Sequence, residues 1–575
     1  MSVDVDVVIA GGGPAGLMLA SELRLGGAGT VVLERLPTPT GLSKALGLLG
    51  RAVQTLDYRG LLERLGAGLV PVGAYSRFAH LGGIPLDVSR LVESAPPGHF
   101  PPPVPARQAQ VEQVLEERAR ELGAEIRRAH ELVGLSQEKE TVTAEVAGPD
   151  GSYRLRARYL VGCDGARSLV RKQAGIGFPG TAPTQVLRLG DVTLSGPERD
   201  RVPVGILRTA TGLFSAGPLG EGVVRVVVSE WSQPPEHVDR DVPPTIEELR
   251  AAVRRVADVD LAMRQPRWLS RFTDAARQAD RYRAGRVLLA GDAAHIQLPA
   301  GGPGMSTALQ DVVNLGWKLA AQVQGWAPPG LLDTYHAERH PAGERMLSFV
   351  RAQGVLLSPG EHVTALRELV GELLTHDQAL RYVVDRLLGL DIRYDLGADR
   401  APAHPLEGGW APDLPLHADG GDTRLATLMH GARPVLLDLT ADGRPRRPAA
   451  TSRWTGSWYA RTGTWPGPPL RGTTTPADSA TRCRNGSAWR AEHPPARTGR
   501  CATPNWPADG TASRPAAPRC GQRGSTDSPA RPARGTKRWS SRPAPRRPMA
   551  RSVRSCERSG IGLTYRRNSS RRAPD

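Results

Sequence analysis

Up to position 444 the apolar residues fall into short runs of two kinds. Val5-Asp-Val-Val-Ile-Ala10 is a compact β-branched run, GGGPAG follows, and LMLASELRLGG then carries apolar side chains at helical spacing. That order predicts a strand, a tight turn and a helix. Thr30-Val-Val-Leu-Glu34 predicts a second strand, Arg158–Val161 a third, and GRVLLAGD (285–292) an apolar strand ending at Gly291-Asp292. A glycine-rich loop and a long amphipathic helix come next. Residues 181–230 contain alternating runs such as Gly222–Ser229, read as strands of a separate sheet, and 245–260 reads as a helix. The Pro- and Gly-rich stretch 75–103 is expected to add a strand or a lid to that sheet. Residues 361–389 read as helical. There Leu366, Leu369, Val370 and Leu373 recur at helical spacing, as core positions or as contacts of a homodimer. Strand-helix-strand units with an inserted set of strands predict an α/β fold.

Past Arg444 the pattern gives out. Residues 445–575 hold 26 Arg and one Lys against six acids, a net of +21 within a whole-chain charge of +17. The preceding part, with 48 basic and 52 acidic residues, is therefore at −4. The basic excess ordinarily suggests a polyanionic partner, but all of it sits in this tail. The tail has four Ile, Leu or Val residues and no Phe. Ordering a residue costs on the order of 1–2 kcal/mol of backbone entropy, and so little aliphatic surface cannot offset it at about 25 cal/mol per Å². The tail is expected to be disordered. Cys483, Cys501, Cys520 and Cys556 are 18, 19 and 36 residues apart, which matches no zinc template, and no metal site is expected. An arm for nucleic acid would need aromatics among its charges. Trp454, Trp489 and Trp539 could serve, yet no repeat organises them. The composition, dominated by residues with GC-rich codons, instead fits out-of-frame reading of a high-GC gene. A nucleic-acid partner is not expected.

Candidate chemistry lies before the seam. Gly11, Gly13 and Gly16, with Pro14 and Ala15 between the last two, fit G-x-G-x-x-G. The first glycine allows the turn, the second lets backbone approach a pyrophosphate, and the third lets helix and strand pack closely. Helix N-terminal N–H groups then hold the phosphates. Glu34, 23 residues after Gly11, ends the next strand where a carboxylate accepts ribose hydroxyls. Asp4 and Asp6 stand where a secretion signal needs positive charge, and no run of about 18 apolar residues is present. A cytoplasmic protein with no membrane span is expected.

Two later stretches specify the dinucleotide. YLVGCDGARSLVRKQAGI (159–176) sets Asp164-Gly165 after a strand, and GRVLLAGDAAHIQLPAGGPGMSTALQDVVNLGWKLA (285–320) sets Gly291-Asp292 before the glycine loop. With the first fingerprint these resemble the signature set of the FAD-dependent aromatic hydroxylases, the p-hydroxybenzoate hydroxylase-like flavoprotein monooxygenases. SKALGLLGRAVQTLDYRGLL (43–62), RQAQVEQVLEERARELG (107–123) and LLDTYHAERHP (331–341) add to the resemblance. It is strongest to the subgroup that hydroxylates aromatic polyketides in antibiotic biosynthesis. In that subgroup a thioredoxin-like third domain follows, and GGWAPDLPL…GARPVLLDLTADG (408–443) looks like its opening.

The resemblance implies a Rossmann-like FAD-binding domain in three parts (1–74, 106–175, and 276–400 with a helical segment). A β-sheet substrate domain in two parts (75–105 and 176–275), a truncated thioredoxin-like domain (404–444) and the tail (445–575) complete it. Glu34 would bind the adenosine ribose, with Arg35 near the adenine. Asp292, after Gly291, would bond the ribityl hydroxyls. Asp164-Gly165 would serve both the FAD chain and NADPH or NADH, and Gln108 would lie near the flavin side chain. The helix starting at Gly304-Met305-Ser306 would point its positive end at the flavin pyrimidine. Pro299 would sit near the reacting carbon. His295 is a candidate base, against which stands a structural role within its loop. Residue by residue, Asp292 also reads as a helix cap and Asp164-Gly165 as an ordinary turn pair. Lys44 stands where arginine is usual, and Pro303 and Ser306 replace the common Gln and Asn.

The activity so implied is an NAD(P)H- and O2-dependent hydroxylation of a polycyclic aromatic through a flavin C4a-hydroperoxide. A Baeyer–Villiger type oxygenase on the same fold and a nucleic-acid binder led by the tail are the alternatives. Deleting 445–575 should leave the melting temperature nearly unchanged. A drop of several degrees in a thermal melt would show that the tail packs on the body.

Overall fold

The structure is a computed structural model that describes residues 3–66, 79–95, 99–194, 196–203, 205–233, 242–395, 407–416, 422–437 and 458–459. The chain divides into two units, Met1–Ala496 and Arg497–Asp575, and every described residue belongs to the first. The expectation for 445–575 lies outside the described residues, except that Trp458–Tyr459 pairs with Leu436–Leu437.

The main sheet forms around β1 (Val5–Ala10), whose last four residues are buried. Helix α1 (Pro14–Leu25) starts with proline at its first turn, where no intrahelical partner for an N–H is missed. Next come β2 (Thr30–Glu34), α2 (Gln108–Glu121), and β3 (Gly151–Gly162), a strand twice the length of β1. β4 (Val287–Leu289), α3 (Pro303–Val323) and α4 (Thr334–Leu357) complete this layer. The order β4-β3-β1-β2-Glu125–Arg128 is parallel throughout, with Ile9 opposite Val32 on one side and Val161 on the other. Strands buried on both faces explain the unbroken apolar runs. The N-terminal half of β3 instead joins an antiparallel meander with Val142–Gly148 and Glu131–Gln137.

Helices α1 and α3 pack closely because glycine removes the side chain at the contact. A Cβ at Gly316 would lie 2.4 Å from that of Glu22, and one at Gly26 would lie 2.4 Å from that of Ala320. Glu22 is consequently buried, and Arg59 meets it with two bonds of 2.6 and 3.0 Å while also donating to the Met429 carbonyl at 3.0 Å. This pair ties the first helix to the segment 422–437.

The second sheet is antiparallel, in the order Gly205–Arg208, Gly212–Gly220, Val223–Glu230, Val186–Thr193, Arg264–Thr273. Helix Ile246–Ala257, capped by the Thr245 hydroxyl, covers one face with Leu249, Ala252, Val253 and Val256 against Val226, Val228 and Phe214. The alternating runs and the helix expected at 245–260 are thus present.

Two expectations need correction. Residues 79–95 add no strand to this sheet: His80–Leu81 and Ile84–Pro85 pair only with each other around Gly82-Gly83, both at positive φ. This hairpin and the short helix Ser89–Ser94 share an apolar cluster with helix Asp377–Leu388. The core role for the leucines of Glu361–Leu373 also fails, because Leu366, Leu369 and Leu373 are exposed and only Val370 packs inward.

Replacing Arg59 with methionine would strand the buried Glu22 carboxylate. The expected cost is about 3–5 kcal/mol, read as a melting temperature lowered by many degrees. A near-unchanged melt would show that the pair is not needed.

Candidate active site

Three turns converge at the C-terminal ends of the parallel strands. At the first, Gly11 adopts φ +107°, and a Cβ there would sit 2.4 Å from the carbonyl oxygen of Cys163 at the end of β3. A Cβ at Gly16 would meet the Gly11 carbonyl oxygen at 2.0 Å, so both positions are closed to side chains. Gly13 has open space before it and precedes α1 directly, with Pro14 and Ala15 in the first turn. Glu34 shapes this turn as well: one carboxylate oxygen accepts the Gly12 N–H at 2.7 Å and the other the Leu36 N–H at 2.9 Å. Arg35 beside it is exposed.

The second turn, Asp164-Gly165, follows β3. Asp164 accepts the Ser168 hydroxyl at 2.5 Å and the Val170 N–H at 3.1 Å and so braces the start of Leu169–Gln173, whose N-cap is Ser168; Gly165 has φ +79°. Arg171 donates to the carbonyls of Ala166 and Ala293 at 2.9 and 2.8 Å and so joins this turn to the third. Burial pushes the Cys163 thiol between them well above its ordinary pKa, so it stays protonated.

In the third turn, Gly291 at φ +61° would place a Cβ 3.2 Å from that of Ala15 and 3.4 Å from that of Ala308. Gly291 thus lies between the first turn of α1 and the second turn of α3. Asp292 is exposed, and no described side chain or backbone group bonds its carboxylate. It does not cap the neighbouring short helix by side chain.

The loop 295–302 continues from there. His295 is fully buried, its Nε2 bonded to Asp311 of α3 at 2.7 Å. Arg339 of α4 donates to the other Asp311 oxygen at 2.8 Å. Burial alone would raise the Asp311 carboxyl, but Arg339 and His295 hold it below its usual range. His295 is thereby engaged through Nε2, while its buried Nδ1 has no partner among the described residues. Pro299 is exposed, and the Gly302 N–H bonds its carbonyl at 3.1 Å. Gly304, Met305 and Ser306 form the first turn of α3, with Pro303 at its start and Ser306 accepting from Gln310. The Gln297 amide lies against Gly304, and its buried Oε1 has no partner.

Residues 43–45 close the opposite side. Gln108 at the start of α2 accepts the Ala45 N–H and donates to Glu112, whose pKa burial raises. Lys44 is exposed. Sequence reasoning missed the group that holds this loop, Arg225. It pairs with Asp191 at 2.8 and 2.9 Å and donates to the carbonyls of Ser43 and Lys44 at 2.6 and 2.9 Å. Arg225 and Asp191 lie opposite one another on the uncovered face of the second sheet. Leu187, Leu213 and Val227 of that face join Leu298 and Ala300 of the loop in one cluster. The sheet face therefore spans from the 43–45 loop to the 298–300 loop. Arg171, Asp311 and Arg339 were equally unforeseen, since their partners are remote in sequence.

The glycine turn is built to admit a phosphate chain. Space opens before Gly13, a helix N-terminus faces it, and Asp292 offers a carboxylate with no internal partner. Comparison with known proteins agrees. Residues 4–350 match the FAD binding domain family, and 404–481 match the aromatic-ring hydroxylase C-terminal family, past the seam at Arg444. A relative in Streptomyces rimosus, 12-dehydrotetracycline 5-monooxygenase/anhydrotetracycline 6-monooxygenase, is 47% identical over 447 residues, 76% of this chain and 86% of its own. The solved OxyS anhydrotetracycline hydroxylase from Streptomyces rimosus superposes with TM-score 0.68 at 45% identity, covering 76% of this chain and 86% of its own. The ternary complex of aklavinone-11 hydroxylase with FAD and aklavinone gives TM-score 0.58 at 28% identity, with 77% and 86% covered. The chain belongs to the FAD-dependent aromatic-ring hydroxylases, with the Rossmann-like α/β fold of p-hydroxybenzoate hydroxylase, and is a flavin monooxygenase.

Proposed function

We propose that the protein uses FAD, NADH or NADPH, and O2 to hydroxylate a polycyclic aromatic of polyketide type in the cytoplasm. The observation that carries this reading is the approach of α1 and α3, through Ala15 and Ala308, over Gly291, beside an apolar sheet face. The named substrates of the relatives, anhydrotetracycline and aklavinone, are multi-ring compounds and support the substrate class. No described helix is long and apolar enough to cross a membrane.

Gly11, Gly13 and Gly16 would admit the pyrophosphate, with the N–H groups of Ala15 and Gly16 as donors. Glu34 keeps lone pairs beyond its two backbone bonds and would accept ribose hydroxyls, with Arg35 close to the adenine. Asp292 would accept from the ribityl chain, and Gln108 and Lys44 would flank the flavin from the 43–45 side. Asp164 and Gly165 shape the turn next to this chain. The positive end of α3, at Gly304 to Ser306, would favour negative charge on a reduced flavin ring. When bound, FAD would relay two electrons from NAD(P)H to O2 and so supply oxygen in activated form. The apolar wall from Leu298 to Leu187 excludes water from the place where that oxygen is used. His295 holds the Pro299 loop and takes no substrate proton.

Purified full-length protein should show the visible absorbance of bound oxidised flavin and consume NAD(P)H faster when a polycyclic phenol is added. A colourless protein that FAD cannot reconstitute would end this reading. Two aspartates separate binding from scaffolding. Asp292→Ala should lose most of its FAD while the flavin-free protein melts as before, because that carboxylate has no partner to lose. Asp164→Ala should cost the flavin-free protein about 1 kcal/mol through its lost bonds to Ser168 and Val170, read by denaturant titration. Full FAD occupancy in the Asp292 variant would show that this carboxylate is misassigned.

A further inference from the structure

The uncovered face of the second sheet is organised in rows across four strands. One row, Leu213–Ser229–Leu187–Phe272, is packed on Leu298 and Ala300. Another, Gly217–Arg225–Asp191–Trp268, is occupied by the arginine clasp on residues 43 and 44, with Arg225 also over the Trp268 ring. Between them runs Ser215–Val227–Leu189–Ser270. Ser215, Val227 and Ser270 are only half-buried, although Val226 and Val228, their neighbours on the opposite face, are fully buried. Val227 packs on the Leu298 cluster to one side and leaves the rest of its surface uncovered toward the row of Ser215 and Ser270. Neither serine hydroxyl has a hydrogen-bond partner among the described residues.

Resting on the function proposed above, we propose that this middle row is the substrate floor and that Ser215 and Ser270 determine specificity. They would select a linear fused-ring substrate bearing a hydroxyl or carbonyl at each end. The two serines are three strand spacings apart, roughly 14 Å, which a single phenol ring cannot bridge and several fused rings can. Val227, beside the buried Leu189, offers an apolar surface to the ring faces, and the hydroxyls at either end donate to or accept from terminal oxygens. Polar groups left unpaired on losing one end set the discrimination.

The test uses the full chain and two probes, 2,6-dihydroxyanthraquinone, oxygenated at both ends, and 2-hydroxyanthraquinone, which lacks one terminal hydroxyl. Binding is read from quenching of protein fluorescence, to which Trp268 at the edge of the floor contributes, and flavin content is read separately from visible absorbance. The wild type should bind the dihydroxy probe about fivefold more tightly. That preference should vanish in Ser215→Ala/Ser270→Ala, with melting temperature and flavin content unchanged. A wild type that binds neither probe, or shows no preference, overturns the proposal. So does a double variant that keeps the preference. Loss of flavin absorbance in the wild type would instead strike the monooxygenase reading, which the fluorescence titration does not touch.

Discussion

A carboxylate with no access to water needs its charge answered on both oxygens, and Asp311 finds its two answers in different parts of the chain. His295 comes from the loop that carries Pro299, and Arg339 from α4. All three are fully buried. Removing Arg339 would leave the Asp311 carboxylate in the interior without its fixed counter-charge, and removing His295 would leave one of its oxygens unbonded. The loop 295–302 is therefore fixed to α3 and α4 together and cannot shift without breaking the cluster. Tyr394 extends the chain of contacts, since Arg339 donates to its hydroxyl at 3.1 Å. The position of the loop that faces the substrate sheet is thus set from behind, by fully buried groups.

The same logic of remote anchoring recurs around the cofactor groove. Arg171 bonds the Asp164 and Asp292 turns through carbonyls, and Arg225 holds residues 43 and 44 through carbonyls. Backbone acceptors leave the local side chains unengaged, so Lys44 and Asp292 stay exposed. An arginine suits this task because its planar fork reaches several acceptors at once while its charge is balanced nearby, by Asp191 in the case of Arg225. The groove is rigid where it must be shaped and unsatisfied where a ligand would bind.

The parallel core was legible from sequence because its signals are local. Gly11, Gly16 and Gly291 report steric limits set by atoms close in space to a turn, and the turn chemistry shows in the residues themselves. The Asp164-Gly165 pair carried two readings, a cofactor contact and an ordinary turn pair, and its bonds to Ser168 and Val170 show how the turn itself is held. The substrate sheet was legible as strands but not as faces. In Val223-Val-Arg-Val-Val-Val228 both faces are valine-rich, so alternation says nothing about which side meets the flavin. Arg188, fully buried between Glu230 and Glu248 on the helix-covered face, would be placed in solvent by any pattern rule. The leucines of Glu361–Leu373 mislead in the opposite sense, with helical spacing but no covering partner among the described residues. The 79–95 hairpin was misassigned because proline and glycine signal a turn without saying which sheet it joins.

Rigid edges and an open centre have a consequence for how substrate choice can change. The outer rows of the sheet face are committed, one to the Pro299 loop and one to the loop that carries Lys44. A substitution in either row would move one of the two loops proposed to flank the flavin and so would disturb oxidation of every substrate alike. In the middle row the two serines bond neither loop, and Val227 alone joins the Leu298 cluster. That row's side chains can be exchanged at the cost of local packing alone, so ring number and end groups can be retuned while the distance between the two loops, and with it the placement of a bound ring system, stays fixed. With the middle row as the proposed substrate floor, specificity would be separable from oxygen chemistry because the two would be written on alternate rows of one sheet.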